Sequence, residues 1–152
     1  MSQPSVQASV TIAASCADVY ALITHLPTMS TLVEEANSME WHRGDAAQPG
    51  AVFKGHNSNR GKKWTTKCTV TDAEPGRVFA FDVKSAIVPV AHWRYDIEPV
   101  DGGCRVTEQT WDRRPGWFRK PAAIATGVPD RTSANAKHIE LTLQRLKATA
   151  EA

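Results

Sequence analysis

The sequence predicts an α+β fold: an antiparallel sheet of about six or seven strands wrapped around one long C-terminal helix. Three observations predict it. One strand and a short helical segment open the chain. A run of period-two segments, separated by turn signals, fills the middle. One long amphipathic helix closes it. A curved sheet closed by a single helix leaves space between the two, and such a space is where a small molecule binds. At 152 residues the chain is long enough to bury a core, and residues 1–152 read as a single domain.

The elements follow in order. Val6, Ala8, Val10 and Ile12 alternate with polar neighbours, the pattern of a strand with one buried face. Ser15 is placed to cap a helix, with Asp18 three residues on. Val19, Leu22, Ile23 and Leu26 then form its apolar stripe, and Pro27 is expected to close it. Residues 28–36 form a second short helix or a turn. Strands are predicted at residues 39–43, 51–58, 63–72 and 77–84, then around Ala91, Trp93, Tyr95 and Ile97, and at 104–113. The intervening turns are Gln48-Pro49-Gly50, Asn59-Arg60-Gly61-Lys62, Glu74-Pro75-Gly76 and Asp101-Gly102-Gly103. Residues 114–128 read as irregular because of Pro115, Gly116, Pro121 and Gly127. The final helix starts near Asp130 and carries Thr132, Ala136, Ile139, Leu143, Leu146 and Ala150 in one sector. Asn135 and Thr142 border that sector, and Leu141 falls on the opposite side.

Composition excludes several classes of function. The apolar share of 41% and net charge of +2 are ordinary, give no reason for a polyanion partner, and with no nucleic-acid motif argue against nucleic acid. No apolar run approaches the roughly 20 residues of a membrane span. Residues 1–10 lack the basic and apolar segments of a signal peptide. Cys16, Cys68 and Cys104, odd in number and widely spaced, suit reduced thiols in a cytoplasm. His25, His42, His56, His92 and His138 are scattered, so no metal is expected. Neither a nucleophile elbow nor a phosphate-binding glycine loop occurs, and no cofactor is expected. The oligomeric state is left at monomer or homodimer.

The candidate site lies on the inward face of the strands. Trp64, Phe81, Trp93 and Tyr95 either line a cavity for a flat or greasy ligand or simply fill a core. Asn57, Thr66 and Cys68 share that inward face. If Val106 points inward, period two places Glu108 and Thr110 inward as well. A carboxylate in a closed apolar space has a raised pKa and can serve as a general acid or base, which makes Glu108 the one catalytic candidate. Two bland alternatives stand beside it: a register flip that puts Glu108 in water, and a structural pair with Arg94 or Arg113. Residues 113–120 mix four basic residues with two aromatics. Arg113, Trp117, Phe118 and Arg119 could gate the pocket, make transient contact with a membrane surface or dock a partner, beside the bland reading of a packed loop with a solvated edge.

The chain resembles the helix-grip superfamily, the START-related group often called SRPBCC, and within it the polyketide cyclase/dehydrase or lipid-transport-like branch. The resemblance spans nearly the whole chain. It rests on Val10-Thr11-Ile12 leading into Ser15-x-x-Asp18-Val19-Tyr20, on Pro49-Gly50 before Phe53-x-Gly55-x-Asn57, and on Trp64 two residues before Thr66. Glu74-Pro75-Gly76-Arg77-x-Phe79-x-Phe81, Trp93-Arg94-Tyr95, Gly102-Gly103-x-Arg105-Val106-Thr107-Glu108 and Thr142-Leu143-x-x-Leu146-Lys147 complete it. The resemblance implies the helix-grip fold and a hydrophobic ligand between sheet and helix. It leaves three functions open: carriage of a lipid or polyketide-like molecule, cyclase or dehydratase chemistry through Glu108 aided by Tyr95 or Asn57, and a protein-interaction module with a filled cavity.

Overall fold

The computed structural model describes residues 2–152. Strand β1 (Val6–Ile12) leads into helices α1 (Cys16–Thr24) and α2 (Leu26–Leu32). Strands β2 (Ala36–Arg43), β3 (Val52–Asn59), β4 (Lys62–Glu74), β5 (Val78–Ser85), β6 (Val88–Val100) and β7 (Gly103–Asp112) follow. Helices α3 (Gly116–Thr126) and α4 (Arg131–Glu151) end the chain. The seven strands form one antiparallel sheet in the order β1-β7-β6-β5-β4-β3-β2. Each of β2 to β7 thus pairs with its sequence neighbour, and β1 returns to pair with β7. Register shifts in β4 between Val70 and Asp72, and between Val83 and Lys84 in β5, bend the sheet. α4 lies across the concave face, buried through Asn135, Ile139, Thr142, Leu143 and Leu146.

Local chemistry sets the element boundaries. The Ser15 hydroxyl accepts the Asp18 amide at 3.1 Å and starts α1. Ser15→Ala is expected to lower stability by about 1 kcal/mol, read as a shift in the urea midpoint at unchanged slope. A β-carbon on Gly103 would meet the Ile12 carbonyl oxygen at 1.9 Å, so only glycine lets β1 close against β7 there. At the other end, the Asp130 carboxylate accepts the Ser133 amide at 3.1 Å and caps α4.

Three expectations change. Pro27 does not terminate the first helix. α1 ends at Thr24 with His25 as cap, and Pro27 sits in the first turn of α2, where its missing N–H costs nothing. Residues 114–128 are not irregular, because α3 forms from Gly116 to Thr126 despite Pro121 inside it. Ala122 is buried and Phe118 half-buried, one turn apart on the side that borders the cavity, and this packing outweighs the proline's local cost; Gly127, at φ 71°, then ends the helix. The inner face of α4 is also rotated from its predicted sector. Thr132 is exposed, while Asn135 and Thr142 are buried, and Leu141 is 41% exposed as its odd position suggested.

Candidate functional site

Side chains on β7 alternate cleanly: Cys104, Val106, Glu108 and Thr110 are buried, with Arg105, Thr107 and Gln109 between them on the outer face. On β6 the matching inward set is Ala91, Trp93, Tyr95 and Ile97. The ladder places Trp93 opposite Thr110 and Tyr95 opposite Glu108. Between this surface, β3 to β5, α3 and α4 lies a cavity of about 200 Å³. One water molecule needs roughly 15 Å³ on the same scale, so the space admits an organic ligand.

Seven of the eight predicted site residues line the cavity: Asn57, Trp64, Thr66, Phe81, Trp93, Tyr95 and Glu108. Thr110 does not. It is 1% exposed and its hydroxyl has no hydrogen-bond partner among the described residues, but it lies outside the lining. The aromatic face divides between the two roles. Phe81 borders the cavity, while Phe79 fills the core beside it with ring centres 5.4 Å apart. Phe53, absent from the sequence-based set, joins both and lines the cavity 5.1 Å from Phe81. Asn57 donates to the Thr66 hydroxyl at 3.2 Å. Burial pushes the Cys68 thiol up to about 12, so it behaves as a small apolar group.

Glu108 meets neither bland alternative. It is 2% exposed, so its register does not flip into water. Arg94 pairs with Asp96 at 2.9 Å and Arg113 lies 3.5 Å from Asp82, so neither reaches it. Its partner is Tyr95, whose hydroxyl donates to Oε2 at 2.7 Å. Burial raises the carboxyl to about 8, with the tyrosine hydrogen bond opposing the rise. Tyr95 is pushed well above its ordinary value by burial and then by the neighbouring carboxyl. Glu108 is therefore neutral near pH 7. Its other oxygen, Oε1, is buried without a hydrogen-bond partner among the described residues.

The far end of the cavity carries charges that sequence reasoning missed. Arg131 donates to Glu35 at 2.6 Å, and His138 Nδ1 lies 3.9 Å from the same Glu35 oxygen. Burial lowers the His138 pKa; Glu35 opposes that and Arg131 reinforces it. Arg114 holds Asp112 through two side-chain hydrogen bonds of 3.0 and 2.8 Å. Burial alone would raise the Asp112 carboxyl, but Arg114 outweighs it and the net direction is down. All five side chains line the cavity. Asp112 pairs with Ala91 and Glu108 with Tyr95, a separation of four residues along β7, or about 13 Å. The cavity thus has a buried floor at Tyr95 and Glu108 and a charged mouth near the β5–β6 hairpin and α3. One signal for the mouth was available: an arginine in the first turn of a helix, as at Arg131, opposes the helix dipole and calls for an anionic partner.

A family model described as polyketide cyclase / dehydrase and lipid transport matches residues 3–151. The chain belongs to that family. Its helix-grip architecture recurs in solved structures. A polyketide-cyclase-like protein from Corynebacterium glutamicum is 26% identical, with a TM-score of 0.64 over 98% of this chain and 93% of that one. The di-domain ARO/CYC StfQ from the steffimycin biosynthetic pathway is 13% identical, with a TM-score of 0.73 over 96% of this chain and 50% of that one. Ara h 8.0201 is 14% identical, with a TM-score of 0.69 over 95% of each chain. The search of the curated proteins gave no match. As in the family description, the cavity suits a hydrophobic small molecule or cyclase-type chemistry.

Proposed function

We propose that this family member binds a hydrophobic small molecule, of lipid or polyketide type, between the sheet and α4. The observation that carries the reading is the open, largely apolar cavity of about 200 Å³ with a buried carboxyl on its floor, one of whose oxygens has no hydrogen-bond partner among the described residues. Phe53, Phe81 and Trp93 supply apolar and π surface for a flat or extended molecule. The protonated Oε1 of Glu108 supplies one hydrogen-bond donor to a carbonyl or hydroxyl oxygen. This one donor orients the ligand, because leaving a buried polar group unpaired costs about 1–3 kcal/mol.

Native mass spectrometry of gently purified protein, followed by denaturing extraction, tests the reading. A near-stoichiometric lipid or aromatic compound is the expected result. An apo mass, together with failure to bind fatty acids and polycyclic aromatic ketones, would overturn it. Trp93→Ala is expected to weaken binding of the recovered compound about ten-fold, since a truncated aromatic contact loses roughly 1–2 kcal/mol, as measured by titration calorimetry.

The Tyr95–Glu108 pair favours a second reading, cyclase or dehydratase chemistry on a polyketide. A carboxyl at about 8 can protonate a developing enolate oxygen or, once ionised, remove a proton between two carbonyls. The fold shared with StfQ, an ARO/CYC protein, supports this reading by analogy. Catalysis requires that Glu108→Gln abolish turnover while ligand affinity survives. Simple carriage requires that affinity respond to Trp93 more than to Glu108.

A further inference from the structure

We infer that the rim of the cavity mouth is a docking surface for an anionic lipid bilayer. Three segments meet at this rim: residues 59–63 at the β3–β4 hairpin, 84–90 at the β5–β6 hairpin, and 113–127 through α3. Their adjacency is fixed by direct contacts. Asn59 donates to the Thr126 carbonyl at 3.0 Å, and the Arg113 amide donates to the Val90 carbonyl at 2.9 Å. Together they hold eight of the chain's 18 Lys and Arg residues and none of its 16 Asp and Glu residues. Asp82 and Asp112 engage Arg113 and Arg114 from outside the rim. The other six, Arg60, Lys62, Lys63, Lys84, Arg119 and Lys120, are exposed and form no ion pair among the described residues. A net charge of only +2 hides this end-to-end asymmetry.

The same rim carries exposed apolar side chains. Ile87 is 88% exposed, Trp117 69% and Ile124 67%; they are three of the four exposed large hydrophobics among the described residues. On α3 the two faces separate by spacing. Phe118 and Ala122 turn toward the cavity with Ala125 at its edge, whereas Trp117, Pro121 and Ile124 recur at i, i+4 and i+7 on the outer side. Phe118 is thereby removed from the four residues the sequence offered for surface contact. Basic side chains around a Trp and two isoleucines match the requirements of the interface: charge for the headgroups, an indole at their level, aliphatic groups below. Nucleic acid fits less well, because exposed isoleucines offer bases nothing to stack on. Among the described residues no helix is long and apolar enough to cross a membrane, so the contact is peripheral. Docking there would set the cavity mouth against the bilayer. The inference goes beyond ligand binding and does not rest on it.

Vesicle flotation tests it with the whole protein. Phosphatidylcholine vesicles carrying phosphatidylserine are expected to float the protein, with binding weakened by added salt, while pure phosphatidylcholine floats little. Arg119→Glu with Lys120→Glu is expected to reduce partitioning roughly ten-fold or more. Trp117→Ala with Ile124→Ser is expected to reduce it several-fold. All these side chains are exposed, so circular dichroism and thermal midpoints should not change. No flotation at low salt would overturn the inference, as would flotation indifferent to both double variants. Binding to single-stranded DNA or RNA that the variants abolish, with vesicles ignored, would assign the rim to nucleic acid instead.

Discussion

Glu108→Gln is expected to flatten the pH dependence of folding stability between about pH 4.5 and pH 8. In the unfolded chain the carboxyl titrates near its ordinary value of 4.5, and in the folded chain at about 8. Below pH 4.5 both states hold the proton and the group favours neither. Between the two values the folded state keeps a proton that the unfolded state releases, so stability falls as pH rises. Above pH 8 both states are ionised and the loss is complete. The full span is on the order of a few kcal/mol, reduced by whatever water enters the cavity beside the charge. Glutamine keeps the shape and a carbonyl oxygen to accept the Tyr95 hydroxyl, but it cannot ionise. Urea unfolding at pH 5, 7 and 9 separates the two proteins. The wild type should weaken across the series, and the variant should not follow it. Equal slopes would mean that Glu108 is ionised and hydrated at neutral pH. Its roles as ligand donor and as acid would then both fail.

The legible part of this fold was periodic. Period-two alternation in the sequence places Trp93, Tyr95 and Glu108 on one face, as the ladder does, because a side chain's face on a strand depends only on parity. Helix α4 was equally legible as an element but not in its rotation. Asn135 and Thr142 are inside because the space opposite them is a cavity and not packed side chains, and a hydropathy pattern records only packed apolar contact. Helix α3 was hidden by Pro121, whose local cost is visible in sequence while the compensating interior contacts of Phe118 and Ala122 are not. Glu35 and His138 lie 103 residues apart and meet only through the tertiary fold. Thr110 shows the converse limit. Parity correctly turns it inward, but whether an inward residue meets a cavity or a neighbour depends on where α4 stops covering the sheet.

Filling the cavity from its wall is expected to abolish ligand binding while leaving the fold intact. Ala91 is 7% exposed and points inward between Val83 and Asp112 on the adjacent strands. It lies at the charged mouth, directly opposite Asp112, so Ala91→Phe sets a ring across the path of any ligand that reaches from the mouth to Glu108. In a tight core such an enlargement costs about 1–3 kcal/mol. Here the ring enters open space of about 200 Å³ and gains dispersion contacts with Phe81 and Trp93. The thermal midpoint should therefore move by no more than about 5 °C. Affinity for the extracted compound, or for an apolar fluorescent probe, should fall by about a hundred-fold or more, because binding then requires displacing a buried ring whose removal from the core costs on the order of 3 kcal/mol. Thr142→Phe, from the opposite wall on α4, provides the independent check and should act in the same direction. Retained affinity in both folded variants would place the ligand outside this cavity. Lost affinity in both, with Glu108→Gln still binding, would separate the shape of the pocket from the carboxyl on its floor. That separation decides between a carrier that only encloses its ligand and an enzyme that must also move a proton.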